Sequence, residues 1–444
     1  MEKLVLTPNC TISRKDGTLV SGDLYNMATE EQIAAFPGDR VRLLDNNYVF
    51  EVALYFPRIL KRLIYRYGYS KEGNWTIYTR NITDDSFSDM DFVIRKERYF
   101  RVVVARRDGR AITSEDISKA KNIVAFEPYE ENRPKNVVKP WFRREIDIKS
   151  RQVNAAIAGI KNPFSLVLLA DSHYTVNGTW DDTATNISEM AALVNYDGIV
   201  HLGDLTDGMT SKRLTAKYVR RIINDLKSTG KDVYITIGNH DSNYFKNMDR
   251  ALSTDEKRCI YDLPVAADAK TLDYYVDYKD KKLRLIFVES FDHTRFFKYG
   301  YSDAQIEWLK KAFATAPRDT RFMIFTHDTP CEKHDVTCLH TSNGARFINV
   351  LRHYNGLNGF KIIGLFYGHT HADFEYYAYG FPMISVNSCK LEFFNELKPR
   401  GAVRWYKQAR TVTQDSWDNL IVDLDTGKLL LIRFGAGKDR VIEV

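Results

Sequence analysis

Five separate times between residues 163 and 371, a short apolar run ends in a residue type that binds metal ions. FSLVLLA leads into Asp171-Ser172-His173, GIVHL into Gly203-Asp204, and DVYITI into Gly238-Asn239-His240-Asp241. RFMIFT meets His327, and IIGLFY meets Gly368-His369-Thr370-His371. Short apolar runs closed by Gly and Asp read as buried strands. Amphipathic helices stand between them. Residues 212–227 place Leu214, Tyr218, Ile222 and Leu226 every four positions, and a second helix begins at Ser302, with Gln305 in capping-box position and Ile306, Leu309 and Phe313 on its apolar face. Alternating strands and helices predict a layered α/β domain, in which ligands collect at the carboxyl ends of the strands. Five polar strand ends can therefore meet in one crevice although they span about 200 residues of chain. Two hairpins, YYVDY with LRLIFV and NLIVDL with KLLLIRF, predict mixed rather than purely parallel sheets.

The preceding region follows another pattern. From residue 1 to about 130, β-rich runs such as YVFEVALYF and RYFRVVVARR alternate with turn signals, among them DG at 16–17 and 108–109. That predicts an antiparallel β-sandwich, with a minor helix near SEDISKAK whose Thr113 and Asp116 have capping-box spacing. The segment ENRPKNVVKPW, with two prolines and mixed charge, reads as a junction. The expected organisation is a sandwich module over 1–135, a linker and connecting helix over 136–160, and the layered domain over 161–444.

Composition excludes several classes. Lys and Arg number 64 against 58 Asp and Glu, with 26 against 22 in residues 1–150, so neither part is a basic platform and nucleic acid is not indicated by charge. The longest apolar runs are about five residues, whereas a bilayer-crossing helix needs about 20. Near the start only Leu4, Val5 and Leu6 are consecutively apolar, so no signal peptide is expected. Cysteines at 10, 259, 331, 338 and 389 are odd in number and scattered, which argues against a disulfide framework; only Cys331 and Cys338 are close enough to watch. The expectation is a soluble chain with no transmembrane segment, cytoplasmic, or virion-associated if it comes from a phage.

The strand-end residues offer imidazole, carboxylate and amide donors and no thiolate, which suits Mn, Fe, Zn or Ni better than a structural zinc site. Asp171, His173, Asp204, Asn239, His327, His369 and His371 are too many for one ion. A carboxylate can bridge two, and two ions about 3.5–4 Å apart can clamp the attacking and leaving oxygens of a phosphoryl displacement. Glycine before Asp204, Asn239 and His369 lets the backbone turn sharply and approach such ions closely.

The ordered set DxH, GDxxD, GNHD, His and GHxH resembles the calcineurin-like metallophosphoesterases, by motif over about residues 164–371. The resemblance implies a layered α/β/β/α sandwich with mixed sheets. It implies that Asp171, His173 and His371 hold one metal ion, that Asn239, His327 and His369 hold the other, that Asp204 bridges them, and that a bridging water is the nucleophile. It further implies that His240 faces the substrate, protonating the leaving oxygen or stabilising the transition state, with Asp207 orienting its ring. Ser/Thr protein phosphatases of this superfamily carry GDxxDRG and GNHE, whereas GDLTDG and GNHD stand here. The expectation is accordingly a phosphodiesterase or general phosphoesterase.

Other features are less specific. Lone histidines such as His201, His293 and His353 are more often packing residues than ligands, and they are assigned no role. The segment 328–343 holds Cys331, His334, Cys338 and His340, and is compatible with a surface loop, a substrate lid, a disulfide-closed loop or a third metal site. Asn177 and Trp180 suit either a site entrance or an exposed turn. Tyr65, Tyr67, Tyr69, Trp75 and Tyr78 cluster in the first region. Such aromatics stack on sugar rings or simply pack, so the module is expected to bind a glycan or teichoic-type surface polymer, or to serve as a scaffold. The segment with RDGRAITSEDI loosely resembles β-sandwich modules of bacterial and phage surface-acting proteins. Two alternatives to a phosphodiesterase stand beside it. One is a phage tail or other binding protein whose sandwich is the working part. The other is a metal-dependent nuclease, for which the net +2 of residues 151–444 supplies no basic groove.

Overall fold

The computed structural model describes residues 2–443 except 14–16, 36–37, 56–74, 79–89, 95–97, 129–136, 175–178, 245–249, 265–271, 332–339, 358, 360, 392–397 and 399. The chain divides into two compact units, Met1–Lys135 and Asn136–Val444. Among the described residues no helix is long and apolar enough to cross a membrane.

In the first unit every strand pairing is antiparallel. The strand Arg98–Arg106 pairs with Tyr48–Tyr55 over eight residue pairs, and on its other side with Asn26–Thr29 and Ile33–Ala35. A second sheet orders Glu2–Lys3, Val124–Glu127, Arg40–Leu43 and Asp91–Val93. Side chains alternate across a strand, so Phe100, Val102 and Val104 share one face, and they lie in one core with Val41, Leu43, Phe92 and Phe126 of the other sheet. Two sheets closing on a common core make the antiparallel sandwich. The helix Ser114–Lys119 forms with the Thr113–Asp116 capping box. Of the aromatic cluster, Tyr65, Tyr67 and Tyr69 lie outside the described residues; Trp75–Tyr78 is a strand beside Tyr48–Tyr55.

The second unit has two six-stranded sheets. One runs Val233–Ile235, Gly198–His201, Pro163–Leu169, Ser416–Asp423, Leu429–Gly435, Arg440–Ile442; its first three strands are parallel and the rest antiparallel. The other runs Tyr274–Tyr278, Leu283–Val288, Arg321–Thr326, Ile362–Tyr367, Phe381–Ser385, Phe374–Ala378, parallel in its middle. Both hairpins expected from the sequence form antiparallel pairs, beside three others. One core joins Leu166, Ile199 and Leu420 of the first sheet to Leu285, Phe325 and Phe366 of the second. A second core packs Ile286, Ile324 and Leu365 against helices Asp303–Ala314 and Gly344–Leu357. Residues one apart along a strand thus face different cores, and the layers stack α/β/β/α.

The helices form where the spacing predicts. Lys212–Lys227, capped by Ser211, buries Leu214, Tyr218, Ile222 and Leu226, and Ser302 with Gln305 boxes the start of Asp303–Ala314. Each such buried aliphatic or aromatic side chain contributes about 1.5–3 kcal/mol, more than helix propensity does. The segment read as a connecting helix is Pro140–Ala158, with proline in its first turn. Its Phe142, Ile146 and Val153 are buried in the same core as both sheets, so it is a layer of the second unit.

Candidate metal centre

The five strand ends converge. Asp171, His173, Asp204 and His371 offer donor atoms all within 4.8 Å of one another, as do Asp204, His327 and His369, and Asp204 belongs to both groups. His371 Nε2 is 3.4 Å from Asp171 Oδ1, and His173 Nε2 is 3.1 Å from His371 Nε2 and 3.6 Å from Asp204 Oδ2. On the other side His327 Nε2 is 3.3 Å from Asp204 Oδ2 and 3.0 Å from Asn239 Oδ1. Ligands bound at about 2.0–2.2 Å with tetrahedral or octahedral angles are about 3–3.5 Å apart. The donor spacing and the mixed N/O chemistry therefore fit two metal ions sharing Asp204.

Backbone geometry marks the same residues. Asp171, His173, Asp204, His369 and His371 all have φ between 40° and 62°, the left-handed region that non-glycine residues rarely adopt. They follow the ends of the strands Pro163–Leu169, Gly198–His201 and Ile362–Tyr367, where the chain turns while keeping these side chains over the sheet edge. Glycine makes the approach possible: a Cβ on Gly238 would lie 2.2 Å from Asp204 Oδ1, and one on Gly203, itself at φ 96°, would lie 2.7 Å from His327 Nδ1.

The surrounding groups orient the donors. His327 Nδ1 donates to the Leu202 carbonyl at 2.7 Å, which turns Nε2 toward Asp204 and Asn239. Burial disfavours a charged His327, but the carboxylates of Asp204 and Asp171 outweigh it and push the ring up to about 9. For His173 burial wins and the ring is shifted down. Burial would raise the Asp204 carboxyl, yet His327, His240 and His173 hold it well below the usual range.

His240 lies beside the donors, its ring 4.6 Å from that of His173, and its backbone N–H donates to Asp204 Oδ1 at 2.8 Å. Its Nδ1 meets the backbone carbonyl of Asp207 at 2.8 Å. Asp207 therefore touches the ring through its main chain. Its carboxylate instead faces His173 Nδ1 at 3.5 Å and Lys390 Nζ at 2.8 Å. Burial would raise that carboxyl, but His173 and Lys390 hold it at about 2.

Some residues stand out only in three dimensions. Asp241, the last letter of GNHD, is fully buried and accepts from the N–H groups of Asp204, Leu205 and Gly238 and from the Tyr261 hydroxyl, tying two donor loops together. Burial and the charge of Asp204 push its carboxyl up to about 6. Lys390 follows the strand Phe381–Ser385, in a run, FPMISVNSCK, with the same apolar-then-polar form as the other five. That form was the available signal. His201 is a packing residue: buried, pushed down to about 3 by burial, with ring nitrogens meeting Ser172 Oγ and the Gly203 N–H. Trp180 is buried at the start of the helix Trp180–Leu193 and bonds Asp225, so it lines no entrance. Asn177, His334 and Cys338 lie outside the described residues; Cys331 is a free thiol.

Residues 164–373 match the family model of the calcineurin-like phosphoesterases. No curated protein matches the chain. Among solved structures, a dimetal phosphatase from Danio rerio is 14% identical, with 63% of this chain and 98% of that one covered at a TM-score of 0.47. A putative 5'-nucleotidase from Staphylococcus aureus is 11% identical, with 64% and 54% covered at 0.37. GAP50, the anchor in the inner membrane complex of Plasmodium, is 10% identical, with 64% and 90% covered at 0.44. The strand-end motifs occur in the family's order and the family model spans all five of them, so residues 164–373 are a calcineurin-like phosphoesterase region.

Proposed function

We propose that the second unit is a two-metal phosphodiesterase. The observation that carries this reading is the pair of donor groups meeting at Asp204. Asp171, His173 and His371 would hold one ion and Asn239, His327 and His369 the other, with Asp204 between them. Two divalent ions so held supply a water of lowered pKa and neutralise charge on the phosphoryl oxygens.

The remaining chemistry falls to side chains. His240, whose Nδ1 meets the Asp207 carbonyl, would carry a proton to the leaving oxygen. The backbone bond to Asp204 holds it near the centre without making it a donor to the ions. The preference for diesters is supported by GDLTDG and GNHD in place of the protein-phosphatase motifs. The first unit is assigned delivery to a polymeric or surface-bound substrate such as a glycan or teichoic-type polymer, on the aromatic run between residues 65 and 78.

Turnover of bis-p-nitrophenyl phosphate and p-nitrophenyl phosphate by Mn²⁺-loaded protein tests this. The diester should show the higher kcat/KM. A monoester preference overturns the diester assignment, and a folded, loaded protein that cleaves neither points instead to the binding-protein alternative.

A further inference from the structure

A sixth strand end opens on the edge that carries the candidate donors. The strand Phe381–Ser385 runs parallel to Ile362–Tyr367, and the residues after it are fastened to the first donor loop. Cys389 N–H donates to the Ala170 carbonyl and Ser388 Oγ to the Asp171 carbonyl, both at 2.9 Å. From below, Lys407, only 2% exposed, donates its ammonium to the carbonyls of Ser388 and Lys390. Burying an ammonium group is expensive unless it is fully bonded, so this lysine is an anchor for the loop rather than a solvated surface charge.

The loop so fixed presents Lys390. Its ammonium is 2.8 Å from Asp207 Oδ1, and that same oxygen is 3.5 Å from His173 Nδ1. One carboxylate oxygen thus separates Lys390 from a residue of the donor cluster. The side chain is 27% exposed, so solvent reaches it. An ammonium has three donors, and Asp207 uses one; the others can reach an anion. Arg404, another cation near the donor loops, donates to the Thr370 carbonyl at 2.9 Å, between His369 and His371.

We infer that Lys390 binds a non-bridging oxygen of the substrate's phosphoryl group, with Asp207 holding the ammonium in place before the anion arrives. The inference deepens the phosphoester assignment and rests on it. A fixed cation aimed at the phosphoryl oxygens stabilises them in a site where water is partly excluded. The long flexible lysine stem lets the ammonium shift toward the anion without moving the anchored backbone.

The test uses the full-length, metal-loaded protein with inorganic phosphate as probe, its binding measured by calorimetry alongside metal content and ester turnover. Lys390→Met should keep both metal equivalents, weaken phosphate binding about ten- to a hundred-fold, and lower kcat/KM comparably. Lys390→Arg should restore most of both. Phosphate binding unchanged in Lys390→Met, while the parent binds it, overturns the inference alone. Loss of metal in both variants also overturns it, making Lys390 a positioning residue for Asp207 and His173. A loaded parent protein that binds no phosphate overturns the inference together with the assignment beneath it. Should Lys390→Met fail to fold, Lys390→Gln is read in the same way.

Discussion

The two units use buried polar groups in opposite ways. In the first, Asp116 is satisfied by its neighbours: the Tyr48 hydroxyl at 2.6 Å, Thr113 N–H at 2.7 Å and the Arg106 guanidinium at 3.0 Å. Every bond strengthens the sandwich, and nothing is left over for a ligand. In the second, Asp171, Asp204 and four histidines are aimed at one another. Backbone conformation draws the same contrast. Among the described residues Asn9 is the one non-glycine residue of the first unit with left-handed φ, whereas the second has twelve, five of them candidate donors. Strain of this kind persists only where surrounding structure over-determines it. Here that structure is two sheets sharing a core, which can hold strand ends in conformations the ends themselves disfavour.

The contrast would collapse if the second cluster were only a stability device like Asp116. The largest effect should come from Asp204→Asn, which removes a charge from both donor groups: both metal equivalents should be lost and ester turnover should fall to background. His327→Ala should lose one equivalent and keep the other. Metal analysis of the two variants settles this, and equal losses contradict the division into two sites.

Next in size is His240→Ala, with turnover lower by about 10²–10⁴-fold and metal content unchanged. The defect should be greater for alkyl than for p-nitrophenyl diesters, because an alkoxide needs protonation more than a stabilised phenolate does. Equal defects would leave His240 the role of stabilising phosphoryl oxygens.

The smallest effect on hydrolysis, namely none, is expected from Asp116→Ala. It should cost the first unit about 1–3 kcal/mol in stability by leaving the Tyr48 hydroxyl and the Thr113 N–H without their acceptor, while Arg106 keeps Asp108. Burial would raise the Asp116 carboxyl, but Thr113, Tyr48 and Arg106 hold it well below the usual carboxylate range. A depressed folded-state pKa gives stability that is full above the unfolded value, near 4, and lost as pH falls through the folded one. Thermal melts of parent and variant should therefore differ at pH 7 and approach each other in strong acid. A difference that grows on acidification contradicts the assignment.

The candidate donors could be named from the sequence because each strand end writes its apolar run and its polar residues close together, with a glycine before Asp204, Asn239 and His369. The helix Lys212–Lys227 was legible through its four-residue spacing, and Ser302 through its cap. Asp241 and Lys390 were less visible, since a buried aspartate and a surface lysine look alike in a list of letters. What sets them apart is which backbone N–H groups and carboxylates surround them, and those come from loops far apart in the chain. Asp207 shows the same gap at atomic scale. Its place beside His240 was foreseeable from the motif, but the contact is made by its carbonyl while its carboxylate turns to His173 and Lys390.

By itself the sequence determined the fold class, and it named the candidate donors, because periodicity, capping and the choice of imidazole and carboxylate are local properties. The tertiary structure decided which cations neighbour the candidate donors, that the Asp207 carboxylate faces His173 and Lys390, and that Pro140–Ala158 is a layer of the second unit. Those depend on strand order. Pro163–Leu169 lies between Gly198–His201 and Ser416–Asp423, the latter some 250 residues away in the chain, and only that adjacency brings the loops within hydrogen-bonding reach.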